Sequence, residues 1–382
     1  MTSCLLALRH DARVPARHPG LPWQLGCVRA SQWVRLIALL LVGAFSLPAW
    51  GSSAPPSAAT ASAPRTAPSG PGPSGAKATT GDLTRFNPSI VRVEARIPPE
   101  ATTVADMGTF RVGSGIILDE QTVLTIGYVT LEADQVTIVT ASGKRIPASV
   151  AAQDHVTGLS LIRAALILDG RPLRLGDSDS AVVRQKVLTL GHGEPEATEI
   201  FVLSRKPYAS DGEYLLETPI LTAPAVNNWS GAALISEEGS LIGVGSLIIS
   251  DVYLGRGRVP GNLWVPVNVL KPVLTELLAK GRRTTGSQPW LGIDTESVRG
   301  SLVVTDVRRN SPAERAGMRE GDIVAGVAGE RVAGQADFYR KLRRIGPAGS
   351  VVPLRLVRGG EVRDVTVKSM DAGDALYKPT GI

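Results

Sequence analysis

The sequence is poor in the residues that build redox, metal and nucleotide sites. Its 382 residues include two cysteines, Cys4 and Cys27, and both lie in the first 51 residues, so the rest can form neither a disulfide nor a cysteine-ligated metal site. No metal-ligand cluster, phosphate loop or nucleotide-binding fingerprint is present, and we therefore expect no cofactor and no metal. Histidine is also scarce, since only His155 and His192 follow the first 51 residues.

The excess of positive charge is small once the N-terminal region is set aside. The formal net charge is +6, but residues 1–51 carry five Arg and one Asp, which leaves about two positive charges for the rest. Nucleic-acid binding therefore loses its main support. A hydrophobic content of 43% with 20% charged residues is typical of globular proteins, and few aromatic residues with 41 Gly and 27 Pro favour short strands and many turns.

The N-terminal region is typical of a secretory signal. The apolar run at 36–47 follows Arg35 and ends in small residues near Gly51, and it is shorter than the ~20 residues of a membrane-spanning helix. We predict a signal in residues 1–51 and a periplasmic or secreted protein. Two alternatives stay open: an uncleaved segment that anchors the chain on the periplasmic side of a membrane, and a translation start downstream of Met1. Residues 52–84, rich in Pro, Ala, Ser and Gly, are predicted to be a disordered linker.

The remaining chain predicts two folded domains. Short β-type runs separated by turn residues every eight to twelve positions indicate an all-β barrel or sandwich at 85–281, closed by a helix at 267–280 that Gly281 ends. The polar segment 282–287 is predicted to be a hinge. A small α+β module follows at 288–371, with helices at 312–316 and 336–345, and residues 372–382 form a tail.

The stretch 226–235 holds the candidate nucleophile, Ser230. It is a run of small, turn-forming residues that passes directly into an apolar strand, an arrangement that can hold a serine hydroxyl at the mouth of a cleft among backbone N–H groups. By itself the same pattern is equally that of an ordinary β-turn.

Several short motifs follow one another in an order that is typical of one protein family. They are GSGII at 113–117, VLT at 123–125, LGDSD at 175–179, VLTLG at 187–191, WLGI at 290–293, SPAERAGM at 311–318 and EGDIV at 320–324. On these motifs the chain resembles the HtrA/Deg proteins from about residue 87 to 371. The resemblance implies an all-β chymotrypsin-like double β-barrel followed by a small α+β PDZ domain.

The resemblance also assigns the catalytic positions, and two of them hold residues that lack the required chemistry. Ser230 keeps the nucleophile position, but Tyr128 takes the place of the histidine that accepts the serine proton, and Gly158 takes that of the orienting aspartate. A phenol with a pKa near ~10 is a poor base at neutral pH. Losing a triad member costs on the order of 10⁴–10⁶ in rate. The sequence therefore predicts a pseudoprotease.

The surroundings of Ser230 weaken the oxyanion site as well. Its two donors would be the N–H groups of Asn228 and Ser230, and Asn228 stands where the family has glycine. Trp229 could fill the specificity cleft. The alternative is an active serine endopeptidase with a non-standard base, for which His155 and His192 are the remaining imidazoles.

The last module is expected to bind peptides. The resemblance places a carboxylate-binding loop at Trp290, Leu291, Gly292 and Ile293, and a facing helix with Phe338 and Leu342 at the peptide pocket. Its partners would be protein C-termini or unfolded segments. The family's assembly implies a homotrimer, or a mixed trimer with an active relative. A purely structural envelope protein is a third reading.

Overall fold

The computed structural model describes residues 82–254 and 257–378. The predicted signal segment, 1–51, and all but the last three residues of the predicted linker lie outside the described residues. The described part begins with a 3-10 helix, Leu83–Ser89, at whose start the Asp82 carboxylate accepts a hydrogen bond from the Thr84 N–H. This helix leads directly into the first strand.

A six-stranded barrel forms the first part of the described chain. Its strands are rich in Val, Ile and Thr, which suit a half-buried pleated surface. They are β1 (Ile90–Arg96), β2 (Phe110–Ile117), β3 (Thr122–Ile126), β4 (Gln135–Val139), β5 (Arg145–Asp154) and β6 (Leu159–Ala164). Neighbours are antiparallel and close in the order β1-β2-β3-β6-β5-β4. Two short helices, α1 (Val104–Met107) and α2 (Gly127–Thr130), connect them, and α2 follows β3 directly.

A second barrel follows, with a separate hairpin inserted into it. Its strands and the hairpin are β7 (Lys186–Leu190), β8 (Thr198–Ser204), β9 (Tyr208–Ser210), β10 (Tyr214–Leu216), β11 (Ile220–Ala223), β12 (Ala233–Ile235), β13 (Leu241–Leu254) and β14 (Gly257–Pro266). The barrel closes in the order β11-β14-β13-β12-β7-β8, while β9 and β10 pair with each other as a two-stranded sheet. Trp264 is fully buried in its core and donates a hydrogen bond to Thr222.

The predicted cap helix at 267–280 is shorter than expected. The structure has a 3-10 helix, Val267–Val269, and then α3 (Leu274–Lys280), which ends at Gly281 with φ +72°. Pro272 lies between these two segments. It interrupts the helix because proline has no N–H to donate and disfavours the α conformation of the residue before it. Another 3-10 turn, Ser178–Ser180, lies between the barrels.

The C-terminal domain is a twisted sheet with two helices. Its elements are β15 (Ile293–Val298), β16 (Ser301–Val307), α4 (Pro312–Arg315), β17 (Ile323–Val327), β18 (Glu330–Arg331), α5 (Gln335–Ile345), β19 (Val351–Arg358) and β20 (Glu361–Lys368), followed by a 3-10 turn, Ala372–Ala375. The predicted fold class, a double β-barrel and then a small α+β domain, is confirmed. Within the described ranges, no helix is both long and apolar enough to cross a bilayer.

Candidate functional site

Ser230 is fixed in the turn that enters β12, where the two barrels meet. The next residue, Gly231, has φ +70°, and a Cβ there would lie 2.1 Å from the carbonyl oxygen of Ser114. The Ser114 N–H donates to the Ser230 carbonyl over 2.7 Å, and the Gly231 N–H donates to the Gly245 carbonyl over 2.9 Å. Only glycine fits at 231, and it lets β2 of the first barrel hold the serine in place.

Tyr128 lies against the serine, in the position predicted for a missing histidine. Its hydroxyl is 2.9 Å from the Ser230 Oγ and 3.1 Å from the Ser246 carbonyl oxygen, and its single proton is shared between these two acceptors. Arg111 donates to the Tyr128 carbonyl over 2.9 Å and so fixes the backbone of α2. Burial raises the pKa of Tyr128 above its usual value, so the phenol stays neutral. The group that faces the nucleophile therefore gives a hydrogen bond instead of accepting a proton.

The position predicted for the orienting aspartate, Gly158, lies in the turn between β5 and β6 and is bordered by a side chain from another element. Gly158 has φ +74°, and a Cβ there would lie 3.4 Å from Tyr214 Cε2 and 3.5 Å from its hydroxyl. The Tyr214 hydroxyl donates to the Thr157 carbonyl over 2.9 Å. A phenol ring from the β9–β10 hairpin thus borders the space in which a carboxylate side chain at 158 would begin.

Asp154, four residues earlier, is engaged elsewhere. It is 2% exposed, and one carboxylate oxygen accepts from Thr157 Oγ1 and from Arg283, each over 2.7 Å. The neighbouring His155 packs against the chain near Gly373. Neither residue is placed to orient a base at Ser230. Across the described ranges, no three His, Cys, Asp or Glu side chains are grouped to hold a metal ion.

His192 is turned away from the nucleophile. Its Nδ1 is 3.0 Å from the Ser114 hydroxyl oxygen, and its backbone N–H donates to the same oxygen over 3.0 Å. Burial, and then the charge of Arg92, lower its pKa. The Asn228 side-chain amide donates to the His192 carbonyl. The imidazole is therefore committed to Ser114, which gives no support to a Ser230–His192 dyad.

Trp229, predicted to fill the specificity cleft, lies beside Tyr128. Their ring centroids are 6.2 Å apart at an interplanar angle of 59°. The Trp229 carbonyl accepts from the Ala232 N–H over 3.0 Å, which tightens the turn around Ser230. The placement is compatible with the predicted role, which stays a prediction.

The predicted carboxylate-binding loop is formed, and it already holds a carboxylate. The N–H groups of Leu291 and Gly292 donate to a Glu213 carboxylate oxygen over 2.9 and 2.8 Å, and that of Ile293 over 3.3 Å. The Trp290 N–H donates instead to the Met370 carbonyl. Gly292 has φ +82°, and a Cβ there would lie 2.4 Å from Ser311. The loop is thus shaped for a carboxylate, with three of the four predicted residues presenting donors.

The predicted pocket residues of α5 are buried. Phe338 is 0% and Leu342 2% exposed, and both belong to a hydrophobic cluster that also contains Leu215 from the β9–β10 hairpin. Sequence reasoning missed Glu213, Tyr214 and Leu215. The pair Asp211-Gly212 is a turn signal that could have indicated the hairpin, but nothing in the sequence indicates where the hairpin docks.

The comparisons agree with this architecture. Residues 113–244 match the trypsin-like peptidase domain family, and residues 289–369 match the PDZ domain family. A solved structure described as a variant of the HtrA-type protease AlgW with decapeptide aligns at a TM-score of 0.50 and 20% identity. The alignment covers 78% of this chain and 97% of that one, and at this identity it shows the fold.

Curated bacterial proteins extend the likeness. A probable periplasmic serine protease do/HhoA-like of Haemophilus influenzae is 27% identical over 277 residues, which covers 67% of this chain and 58% of that protein. A probable periplasmic serine endoprotease DegP-like of Halomonas elongata is 28% identical over 283 residues, covering 69% and 57%. The match thus spans somewhat more than half the length of these relatives. With a trypsin-like barrel, a PDZ domain and relatives of this kind, the chain is similar to the HtrA-type proteases.

Proposed function

We propose that this chain is an HtrA-like pseudoprotease that binds protein C-termini or unfolded segments through its PDZ domain. The observation that carries the proposal is the hydrogen bond from the Tyr128 hydroxyl to the Ser230 Oγ. General-base catalysis needs an acceptor at that place, within hydrogen-bond reach of the hydroxyl proton. A neutral phenol with a raised pKa donates there, so the serine is not activated.

The other members of the catalytic set support the same proposal. Gly158 has no side chain to orient a base, and Tyr214 borders the space in which one would stand. The proposed oxyanion position at Asn228 is held by the bond from its side chain to the His192 carbonyl. Restoring activity would therefore need more than the replacement of one residue.

Peptide binding and location rest on different observations. The loop 291–293 presents three N–H groups to a carboxylate, which is the recognition that a peptide C-terminus requires. The solved HtrA-type structure is described as that protease with a decapeptide, and the named relatives are described as probable periplasmic proteins. We therefore propose a periplasmic location. The homotrimer, or mixed trimer with an active relative, is carried over from the family resemblance alone.

A serine-reactive probe tests the enzyme question. The full chain is incubated with a fluorophosphonate probe and, separately, with unfolded casein, next to the Ser230→Ala variant. We expect labelling and casein cleavage at the level of that variant, because no base withdraws the serine proton. Labelling that depends on Ser230 would establish the rival function, a serine endopeptidase with a non-standard base. That function is supported by the relatives, which are named as serine proteases.

A further inference from the structure

The carboxylate in the PDZ loop has the chemistry of a peptide C-terminus. Glu213 offers both oxygens to the Leu291 N–H, over 2.9 and 3.0 Å, and one oxygen also accepts from Gly292 and Ile293. A free α-carboxylate makes this kind of contact when a peptide docks on such a loop. Because the donors are already satisfied, an incoming C-terminus finds them unavailable until Glu213 leaves.

The backbone at Glu213 is in an unfavourable conformation. Glu213 has φ +61°, following Gly212 at φ +73°. A glutamate in the left-handed region costs on the order of 1–2 kcal/mol, and Asn or Gly would carry that conformation at less cost. Burial adds a second cost, because it raises the pKa of Glu213 to about 7. A costly residue at a turn is explained when its side chain has a specific partner.

The rest of the hairpin contacts helix α5 and the apolar cluster behind it. Leu215 is 2% exposed and joins the apolar cluster of Phe338 and Leu342, as the side chain of a C-terminal peptide residue would. From α5, the Tyr339 hydroxyl donates to the Ser210 carbonyl and the Arg343 side chain donates to the Leu215 carbonyl, each over 3.0 Å. Two further contacts tie the hairpin: Arg340 pairs with Glu217, and the Gly212 N–H donates to Asp294.

We propose that the β9–β10 hairpin is an internal ligand of the PDZ domain, with Glu213 as its carboxylate and Leu215 as its apolar anchor. Peptides with a free C-terminus bind only when the hairpin withdraws, so their apparent affinity is reduced by the fraction of molecules in which it is docked. This inference rests on the proposed peptide-binding function of the same groove.

Hydrogen exchange and peptide titration on the full chain test the proposal separately. The variant is Glu213→Asn, since Asn tolerates φ above zero and is too short to reach the loop; Glu213→Gln keeps the length and removes the charge. Glu196→Ala, at an exposed glutamate of the second barrel, is the matched control. The probes are fluorescein-labelled decapeptides with apolar C-terminal residues, each compared with its C-terminal amide.

We expect the amides of Leu291, Gly292 and Ile293 to be protected in the wild-type chain and the control, and to lose protection at least tenfold in Glu213→Asn. Free-acid peptides should bind that variant about tenfold or more tightly than wild type, and the amidated peptides should bind neither. Glu213→Gln should fall between the two. The thermal melting of each variant confirms that it is folded.

The outcomes separate the inference from the proposed function. Equal exchange of the three amides in the wild-type and Glu213→Asn chains would overturn the internal ligand. Equal peptide affinity of the two chains would overturn competition while leaving peptide binding in place. Exposed amides in Glu213→Asn without any peptide binding would uphold the docking of Glu213 and count against the proposed function.

Discussion

At Ser230, a hydrogen-bond donor faces the serine hydroxyl at the place where general-base catalysis needs an acceptor. A triad histidine would accept from the serine hydroxyl, whereas the Tyr128 hydroxyl donates to it and to the Ser246 carbonyl. Tyr128 belongs to the first barrel, while Ser230 and Ser246 belong to the second. This contact therefore joins the two barrels.

The Tyr128→Phe variant measures this structural role. Removing the hydroxyl leaves the Ser246 carbonyl without this partner, so we expect the free energy of unfolding to fall by about 1–2 kcal/mol. Urea denaturation of the full chain gives the value. Tyr377→Phe is the control, because its hydroxyl contacts the exposed Glu100 at the surface and its loss should leave stability unchanged. An unchanged unfolding curve for Tyr128→Phe would show that the bond contributes nothing.

At the scale of elements, the β9–β10 hairpin is important because it contacts both the PDZ loop and the first barrel. Its adjacent residues Glu213 and Tyr214 reach two different places, the PDZ loop and the space beside Gly158. The hairpin is short, and it pairs only within itself among the strands that the structure describes. Its position is therefore set by side-chain contacts with its two neighbours.

Restoring a carboxylate at position 158 should be costly while Tyr214 is in place. Gly158→Ala should cost about 1–2 kcal/mol from its φ of +74°. Gly158→Asp should cost about 3 kcal/mol, because the longer side chain meets the phenol ring and buries a charge. In the Tyr214→Ala background the extra cost of Asp over Ala should shrink by about 1 kcal/mol, which a double-mutant cycle measures.

The outcome that contradicts this account is additivity. If Gly158→Asp costs as much with Tyr214→Ala as without it, the ring does not exclude the carboxylate. Gly143→Ala serves as the control for backbone strain alone, since Gly143 has φ +87° and no heavy atom within 4 Å of a Cβ. Neither replacement at 158 should restore casein cleavage.

At the scale of the whole described structure, side-chain contacts tie the barrels to the C-terminal region. Arg283, in the predicted hinge, pairs with the buried Asp154 over 2.7 Å. The Tyr377 N–H donates to Glu132 of the first barrel over 2.7 Å. Together with the hairpin, these contacts give the PDZ domain a defined place against the barrels.

The docking of Glu213 should weaken as the pH rises. Its pKa is about 7 when docked and near the ordinary 4.5 when released, so between these values the docked state binds more protons and loses stability with increasing pH. Burial raises the pKa of Glu213 most, and the charge of Asp294 raises it further, against the three backbone N–H donors. Asp211, Arg308 and Tyr339 are the other ionisable groups nearby. Exchange protection factors of Leu291–Ile293 should fall about thirtyfold from pH 5.5 to pH 8.

The Glu213→Gln variant is the control for that titration, because it has no proton to lose. Its protection factors should be the same at both pH values after correction for intrinsic exchange. Protection in the wild-type chain that rises with pH would mean that the three N–H donors outweigh desolvation, and would reverse the sign of the switch.

Much of the architecture was predictable from local pattern. The turn spacing indicated short strands, and the motifs indicated the double barrel and PDZ domain. The assignment of Tyr128 and Gly158 to catalytic positions follows from the resemblance and stays a prediction. The prediction of one helix over 267–280 was wrong in length, because the apolar spacing continues through Pro272 whereas the helix does not. These features depend on residues close in sequence, which is why sequence patterns could predict them.

The sequence by itself determined the barrel strands and the PDZ signature, and it predicted that the catalytic positions hold neither an imidazole nor a carboxylate, because each follows from residue type at a given place in a local pattern. Only the tertiary structure decided what took those places. The bond of Tyr128 to Ser230 and that of Glu213 to the loop join residues 102 and 79 positions apart. Such contacts arise when separate elements pack, and no local pattern of the chain records them.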